Sequence, residues 1–253
     1  MVRIAAIGDL HLRTRIPPRL AHEFSSLGGR ADALVVAGDI TNSGRIAEAE
    51  LAAELFALVE LPIIAVLGNH DRRSLLRRRF RQIIEGAGVT LLDGDTTAID
   101  AGVRVGFAGV GGSGGGFWPD EGPRLPYNRP CQALAIRARR EAARLDAALA
   151  SLDTDVRVVV THFAPTTSTL GHEPLVKYPL LGNCELGRVI DRYRVDLVIH
   201  GHAHLGNSYG RTAGGTPVRN VAREINGGVI VHELAFRTAR HTSPAWLPYE
   251  RGA

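Results

Sequence analysis

The chain has 253 residues, of which 45% are hydrophobic and 22% are charged, as in an ordinary globular protein. Its formal net charge is +4, and Lys177 is the only lysine among the 30 basic residues. This arginine excess suits an anionic substrate but identifies no partner by itself. The sequence shows no apolar run for a membrane span, no secretory leader, and no metal-binding or redox spacing of Cys131 and Cys184. We therefore expect one domain with unpaired thiols, acting in the cytoplasm.

Seven apolar runs bounded by turn residues predict β-strands. They are Val2 to Ile7, Ala33 to Ala37, Ile63 to Leu67, Val103 to Ala108, Val156 to Val160, Leu197 to Ile199 and Val229 to Leu234. Helical patterns lie between them at Arg45 to Glu60, Ser74 to Glu85 and Gln132 to Leu152. Such alternation predicts an α/β protein whose sheet is covered by helices.

Two stretches without helical patterns predict antiparallel meanders, so the sheet or sheets should be mixed. In the first, TLLDG, TTAIDAG and VRVGFAG follow one another from Thr90, and in the second GTPVRNVAR precedes GGVIVHEL. We assign residues 1–240 to the domain. Residues 241–253 hold two prolines and few apolar pairs, which predicts a surface extension.

Polar side chains follow the ends of five predicted strands, where ligands bind in open α/β sheets. The clusters are Gly8-Asp9-Leu10-His11, Gly38-Asp39, Gly68-Asn69-His70-Asp71, Thr161-His162 and Gly201-His202-Ala203-His204. Alone, each Asp is also compatible with a turn or a helix cap, and each His with a hydrogen-bonded core or surface position. Their agreement at five strand ends indicates one shared site.

The types of ligand in these clusters predict a centre for two divalent metal ions. Two carboxylates, one amide and neutral imidazoles leave two such ions with about two positive charges, which favours binding of a hydroxide and an anionic phosphoryl group. Because no thiolate belongs to the set, Mn²⁺, iron (Fe²⁺ or Fe³⁺) and Zn²⁺ all fit, and the sequence leaves the choice open.

The motif order D-x-H, G-D, G-N-H-D, H and G-H-x-H resembles the calcineurin-like metallophosphoesterase superfamily, from Asp9 to His204. The resemblance implies a four-layer α/β/β/α sandwich of two mixed sheets flanked by helices. It also implies one metal held by Asp9, His11, Asp39 and His204, and a second held by Asp39, Asn69, His162 and His202. Asp39 would bridge the two metals. His70 would face the substrate without binding metal, and Asp71 would orient the His70 ring.

The reaction implied by the resemblance is hydrolysis of a phosphate ester by a metal-bound hydroxide. Protonated His70 would stabilise the developing charge or protonate the leaving oxygen. We expect phosphodiester substrates of the nucleotide or cyclic nucleotide type. The alternatives are a phosphomonoesterase acting on a small metabolite or phosphoprotein, a DNA nuclease, and an inactive interaction scaffold. Nucleic acid is not favoured as a partner, because the nucleases of this superfamily carry a further capping domain. The oligomeric state is left open.

Substrate contacts are predicted from position along the chain. Arg72 and Arg73 directly follow the catalytic turn and are placed to meet phosphate, although a solvated face is the default for the arginine-rich helix after them. Phe117 and Trp118 follow a glycine-rich stretch and either stack on a nucleobase or pack as a lid on the core. His172 lies in segment 163–185, a candidate substrate loop between two ligand clusters.

Two further patterns have weaker support. GVGGSG at 109–114 fits a dinucleotide-binding fingerprint, but no helix pattern follows it, so we expect a loop bordering the metal site. His200 shares strand parity with His202 and is an alternative ligand. Gly201 should turn the chain, and the family pattern favours His202 and His204.

Overall fold

The computed structural model describes residues 1–126 and 128–235, so the extension predicted at 241–253 lies outside the described residues. The strands are β1 Val2–Ile7, β2 Ala33–Ala37, β3 Ile63–Val66, β4 Val89–Leu92, β5 Asp95–Asp100, β6 Arg104–Val110, β7 Val156–Thr161, β8 Leu197–His200, β9 Tyr209–Arg211, β10 Pro217–Asn220 and β11 Ile230–Leu234. The helices are α1 Pro18–Ser25, α2 Ile46–Phe56, α3 Arg77–Gly86, α4 Arg129–Ser151, α5 Tyr178–Leu181, α6 Cys184–Ile190 and α7 Arg223–Asn226. All seven predicted strands and all three predicted helices are present, β1 and β2 with the predicted bounds and the others with one or both ends shifted by a few residues.

The strands form two mixed sheets, with the orders β11-β1-β2-β3-β4 and β5-β6-β7-β8-β10-β9. In the first sheet β1 to β4 are parallel and β11 is antiparallel to β1. In the second sheet β6, β7, β8 and β10 are parallel, and β5 and β9 are antiparallel edge strands. The carboxyl ends of the parallel strands in each sheet therefore lie along one edge.

Side-chain alternation places each sheet between a helical layer and the other sheet. On β1, Val2, Ile4 and Ala6 join the apolar core between the two sheets, whereas Ala5 and Ile7 pack towards the helices α1 to α3. A third core lies between the second sheet and the helices α4 and α6. The protein is therefore a four-layer α/β/β/α sandwich, and the predicted fold is confirmed.

The two predicted meanders are wrong in one respect, because each one is divided between the sheets. Strand β4 pairs in parallel with β3, while β5 pairs with β6 in the other sheet. Likewise β10 pairs in parallel with β8, while β11 pairs with β1. The physical reason is that a short connection can also carry the chain between two stacked layers, as Asp93 and Gly94 do between β4 and β5.

Two smaller expectations can be compared with the described residues. Cys131 and Cys184 are free thiols, as predicted. Among residues 1–126 and 128–235, no helix combines the length and the apolar character needed to cross a membrane.

Candidate metal centre

The turns after five parallel strands interlock and bring the candidate ligands together. The backbone N–H of Asp9, after β1, donates to the carbonyl of Gly38, after β2 (3.0 Å), and the N–H of His11 donates to the carbonyl of Asp39 (3.0 Å). In the second sheet, the N–H of Gly201 donates to the carbonyl of His162 (3.2 Å). Backbone geometry in these turns therefore fixes where each ligand side chain begins.

Three overlapping groups of side chains have possible ligand atoms within 4.8 Å of one another. They are Asp9, His11 and His204; His11, Asp39 and His70; and Asp39, His162 and His202. Asn69 joins the third group, because its Oδ1 lies 3.0 Å from Nε2 of His162. These side chains are called the metal centre below. Carboxylates, an amide and imidazoles without a thiolate fit divalent ions of hard or borderline character.

Asp39 lies between the two halves of the metal centre. Its Oδ2 is 3.7 Å from Nε2 of His11, and its Oδ1 is 3.4 Å from Nε2 of His162. The backbone N–H of His70 donates to Oδ1 of Asp39 at 2.8 Å and holds the carboxylate in this orientation. One carboxylate thus turns one oxygen to each half, which is the geometry that a bridging ligand requires.

Hydrogen bonds orient two of the imidazoles for metal binding. Nδ1 of the fully buried His162 donates to the carbonyl of Ala37 at 2.9 Å, which leaves Nε2 with its lone pair facing Asp39. Nε2 of His202 donates to the carbonyl of Leu180 at 3.2 Å, which leaves the lone pair of Nδ1 available to a metal ion. A carbonyl that fixes the tautomer in this way is the usual outer partner of a metal-binding histidine.

Charge within the metal centre favours the ionised form of Asp9. Burial opposes ionisation of Asp9, but the hydrogen bond with His204 and the nearby His162 outweigh it and lower the pKa of Asp9. The same hydrogen bond, 3.0 Å from Nε2 of His204 to Oδ1 of Asp9, raises the pKa of His204 to about 9. Burial lowers the pKa of His202 to about 3 and keeps that ring neutral. Metal binding would therefore release a proton from His204.

Backbone strain is concentrated at the metal centre. Among the described residues, the non-glycine positions with positive φ are Asp9 (59°), His11 (44°), Asp39 (49°) and His202 (70°). All four are candidate ligands, and this left-handed conformation is unfavourable for residues with a Cβ. Strain of this kind persists where the surrounding structure fixes a functional geometry.

Two glycines allow the ligand carboxylates to approach neighbouring backbone. A Cβ at Gly68 would collide with the Asp39 carboxylate, and a Cβ at Gly201 would collide with the Asp9 carboxylate. The glycine that precedes the polar residues in these two sequence clusters therefore makes room for a carboxylate that comes from a different turn.

The expected contact of Asp71 with the His70 ring is wrong. His70 Nδ1 donates instead to the carbonyl of Asn42 at 2.5 Å. The buried Asp71 carboxylate accepts from the N–H groups of Ile40, Thr41 and Gly68 and from the Thr41 hydroxyl, at 2.7 to 3.1 Å. Burial and the neighbouring Asp39 raise the pKa of Asp71 to about 6. By accepting hydrogen bonds from backbone N–H groups of both turns, the Asp71 carboxylate links the turn after β2 to the turn after β3.

The predicted substrate residues are dispersed, and three of these expectations need correction. Phe117 is only 3% exposed and packs edge to face on Tyr178, so it takes the second of its two predicted alternatives, packing on the core, and cannot stack on a nucleobase. Trp118 is exposed but lines a separate cavity with Arg124 and Arg139, away from the metal centre. The guanidinium of Arg72 is held by Asp93 and Glu141, at 3.2 and 3.5 Å.

The other two predicted substrate residues are exposed. A terminal nitrogen of Arg73 lies 3.3 Å from Nδ1 of His70, beside the metal centre. The N–H of His172 donates to the carbonyl of Leu205 at 3.0 Å, which holds segment 163–185 against the turn that carries His204. His200, the alternative ligand, is fully buried with both ring nitrogens bonded, to the carbonyl of Gly201 and to the hydroxyl of Thr169.

Sequence reasoning missed several residues around the metal centre. A cavity of ≈ 440 Å³ is lined by Asn69 and His202 together with Arg77, Arg137 and Phe163. Phe163 begins the predicted substrate segment 163–185, and its ring centre lies 4.3 Å from that of His202, a contact that the sequence did not indicate. Arg137 comes from the middle of α4, and nothing in the local sequence distinguishes it from its arginine neighbours.

Comparison with known proteins agrees with this geometry. One curated relative, the glycerophosphodiester phosphodiesterase GpdQ of Enterobacter lignolyticus (strain SCF1), is 30% identical in an alignment of 97 residues that covers 34% of this chain and 35% of that protein. The match therefore spans about a third of the length of that relative.

Solved structures share the fold. One crystal structure has a TM-score of 0.65 at 14% identity, over 93% of this chain and 98% of its own. TT1561 of Thermus thermophilus has a TM-score of 0.50 at 16% identity, over 87% of this chain and 88% of its own. The family model described as calcineurin-like phosphoesterase matches residues 2–206, which include every candidate ligand. The chain therefore belongs to the calcineurin-like phosphoesterase family.

Proposed function

We propose that the protein is a dinuclear phosphodiesterase. Asp9, His11, Asp39 and His204 would hold one divalent ion, and Asp39, Asn69, His162 and His202 would hold the other. The observation that carries this proposal is the position of Asp39, whose Oδ2 and Oδ1 lie 3.7 and 3.4 Å from His11 and His162. Mn²⁺, iron and Zn²⁺ are all compatible with these donors.

When bound, such ions supply Lewis acidity, which lowers the pKa of water and neutralises phosphoryl charge. The residues of the chain orient the reaction around them. Donation from His70 Nδ1 to Asn42 turns Nε2 towards the metal centre, 3.9 Å from Oδ2 of Asp39. A proton on that Nε2 would be donated to a phosphoryl or leaving oxygen. The backbone N–H of His70 also donates a hydrogen bond to Asp39. His70 would therefore orient a candidate metal ligand through its backbone and contact the substrate through its ring.

Two observations support a diester substrate. The relative that matches part of this chain is named as a glycerophosphodiester phosphodiesterase. The cavity of ≈ 440 Å³ beside Asn69 and His202 has polar and apolar walls and lies in the size range of small-ligand sites. This cavity gives room beside the metal centre for an organic group attached to the phosphorus. Nucleotide and cyclic nucleotide diesters are the substrates we favour.

The test is a substrate panel with metal-loaded protein. Bis-p-nitrophenyl phosphate, p-nitrophenyl phosphate, cyclic nucleotides and single-stranded DNA are each assayed with Mn²⁺, Fe²⁺ or Zn²⁺. We expect kcat/KM for a diester to exceed that for the monoester by about tenfold or more, which corresponds to about 1.4 kcal/mol. Elemental analysis should find about two ions per chain.

Matched variants identify the source of the activity. Asp39→Asn should lose metal and diester hydrolysis, whereas Asp153→Asn, at an exposed aspartate after α4, should keep both. Cleavage of the monoester alone would replace the proposal with a phosphomonoesterase. Cleavage of DNA alone would indicate a nuclease, and two bound ions without hydrolysis of any ester would indicate a scaffold.

A further inference from the structure

The cavity beside the metal centre is strongly cationic. Its lining includes Arg72, Arg73, Arg77 and Arg137, and none of the described residues that line it is an aspartate or glutamate. Asn69 and His202 lie in the same lining, so the cavity opens directly onto the metal centre. We call this cavity the arginine pocket. Its position makes it the space into which part of a bound substrate would extend.

Most of these arginines lack a carboxylate partner. Arg72 is neutralised by Asp93 and Glu141. Arg73, Arg77 and Arg137 form no ion pair within residues 1–126 and 128–235. Three guanidinium groups in one concave lining repel one another, and an anion would relieve this repulsion.

The neighbouring cavity provides a contrast. It has a volume of ≈ 390 Å³ and also contains several arginines, but Asp93 and Glu141 lie in its lining. There Arg144 pairs with Asp93 at 3.1 Å, and Arg81 pairs with Glu85 at 2.8 Å. Arg72, Arg77 and Arg137 line both cavities, and the arginine pocket differs in that no carboxylate is among its described lining residues.

The scissile phosphoryl group does not account for these charges. Metal ions bound at the metal centre would already neutralise it. Arg73 extends the positive charge beyond the metal centre, since its guanidinium lies 3.3 Å from the His70 ring, and Arg77 and Arg137 line the same pocket. A second anionic group, outside the reacting phosphorus, would match this arrangement.

We propose that the arginine pocket binds a second phosphate group of the substrate. Preferred substrates would then be phosphodiesters of a nucleoside or similar organic group that carries an additional phosphate. Leu134, Phe163 and Leu180 line the same pocket and provide an apolar wall for that organic group. This inference rests on the proposed function, because it assigns a substrate class to the same metal centre.

Two chromogenic diesters that differ by one phosphate test the inference. They are thymidine 5′-(p-nitrophenyl phosphate) and the same compound with a 3′-phosphate, assayed with Mn²⁺-loaded protein. For the wild type, the 3′-phosphate should raise kcat/KM about tenfold, mainly through KM, as expected for charge-assisted hydrogen bonds. In the double variant Arg77→Ala/Arg137→Ala this ratio should fall to about one. The control Arg139→Ala/Arg140→Ala removes the same charge from α4 outside the pocket and should keep the wild-type ratio.

The outcomes separate this inference from the proposed function. Equal kcat/KM for the two diesters, or a ratio unchanged in Arg77→Ala/Arg137→Ala, would overturn the inference and leave the phosphodiesterase intact. If no metal gave hydrolysis of either ester, the proposed function would fail. Calorimetric titration would then decide the inference alone: thymidine 3′,5′-bisphosphate must bind wild type about tenfold more tightly than thymidine 5′-monophosphate, and equal affinities would overturn it.

Discussion

His70 is the residue whose role is most directly open to test. It belongs to one of the possible ligand groups, with His11 and Asp39, yet its Nδ1 is already used by the carbonyl of Asn42. The side chain is 25% exposed, so Nε2 can be reached from solvent. These facts allow two roles for His70, metal ligand or proton donor to the substrate. The two roles predict different effects of substituting His70 on metal content and on turnover.

We expect His70→Ala to lower kcat for bis-p-nitrophenyl phosphate by about 100-fold or more while metal content stays near that of wild type. The reason is that general acid catalysis contributes about 10² to 10⁴ in rate. Steady-state kinetics and elemental analysis of the same preparation provide the measurement. His22→Ala, at an exposed position on α1, serves as the control. Loss of one ion from His70→Ala would make His70 a ligand, and wild-type turnover would remove it from the mechanism.

His232 on β11 should make stability depend on pH. Burial and the positive charge of Arg219 lower its pKa from 6.5 to about 4, and its Nε2 has no hydrogen-bond partner in the described part of the chain. Between these two values the unfolded chain binds more protons than the folded chain, so stability is full above about pH 6.5 and falls as the pH drops towards 4. In His232→Leu this part of the loss should disappear.

The measurement for His232 is urea unfolding of metal-free protein at about pH 7 and about pH 5. His22→Leu should retain the wild-type difference between the two conditions. If the free energy of unfolding changed between about pH 7 and about pH 5 by the same amount in the wild type and in His232→Leu, protonation of His232 would not contribute to the pH dependence of stability.

The sequence indicated which residues lie at the candidate site, but it did not indicate many of their hydrogen-bonding and packing partners. Asp9, Asp39 and His162 could be recognised because each follows an apolar strand in a fixed motif order. The acceptor for His70 could not, because Asn42 becomes its neighbour only when the turns after β2 and β3 meet. Packing of Phe117 on the core was one of two alternatives left open, because the sequence does not show that tertiary packing brings Tyr178 against its ring.

At the scale of elements, the turns after β1, β2, β3, β7 and β8 act as one interlocked unit. Asp71 receives hydrogen bonds from two of these turns, and the N–H of His202 donates to Oδ2 of Asp9 at 2.9 Å across the two sheets. A change in one turn therefore displaces ligands carried by another. Gly68 offers the sharpest test of this coupling, because it contacts Asp39 without being a ligand itself.

We expect Gly68→Ala to lose metal and to lower the free energy of unfolding by about 2 kcal/mol or more, since its Cβ would collide with the Asp39 carboxylate and backbone. Elemental analysis and urea unfolding provide the measurements. The matched control is Gly86→Ala at the end of α3, where a Cβ would meet no heavy atom within 4 Å. A Gly68→Ala protein with normal metal content would show that the turns adjust independently.

Strand positions were easier to predict than strand neighbours. The run at β2 is apolar along its whole length and the run at β1 is apolar except at Arg3, because both faces are buried, and their predicted bounds match the structure. The sheet to which β4 or β11 belongs depends on which edge is free after the other strands have paired. That choice is made by non-local packing, and local spacing of turn residues does not record it.

At the scale of the whole molecule, the metal centre joins the two sheets. The first sheet supplies Asp9, Asp39 and Asn69 through its strand ends, and the second supplies His162, His202 and His204. Bound ions would therefore fasten together layers that otherwise meet through apolar packing between β1 to β3 and β6 to β8. Because the strained ligand conformations exist only in the folded chain, metal binding should favour folding over unfolding.

Metal removal should consequently lower Tm. An ion present at 100 times its Kd contributes about 2.7 kcal/mol, and 1 kcal/mol corresponds to about 2–4 °C for a chain of this size, so Mn²⁺ saturation should raise Tm by about 5–10 °C over the chelated protein. Differential scanning calorimetry of both forms measures this difference. Asp39→Asn should lose most of the rise because both halves of the metal centre share that carboxylate, whereas Asp153→Asn should retain it. Equal Tm values for Mn²⁺-saturated and chelated wild type would mean that the ions do not link the sheets, even if they bind.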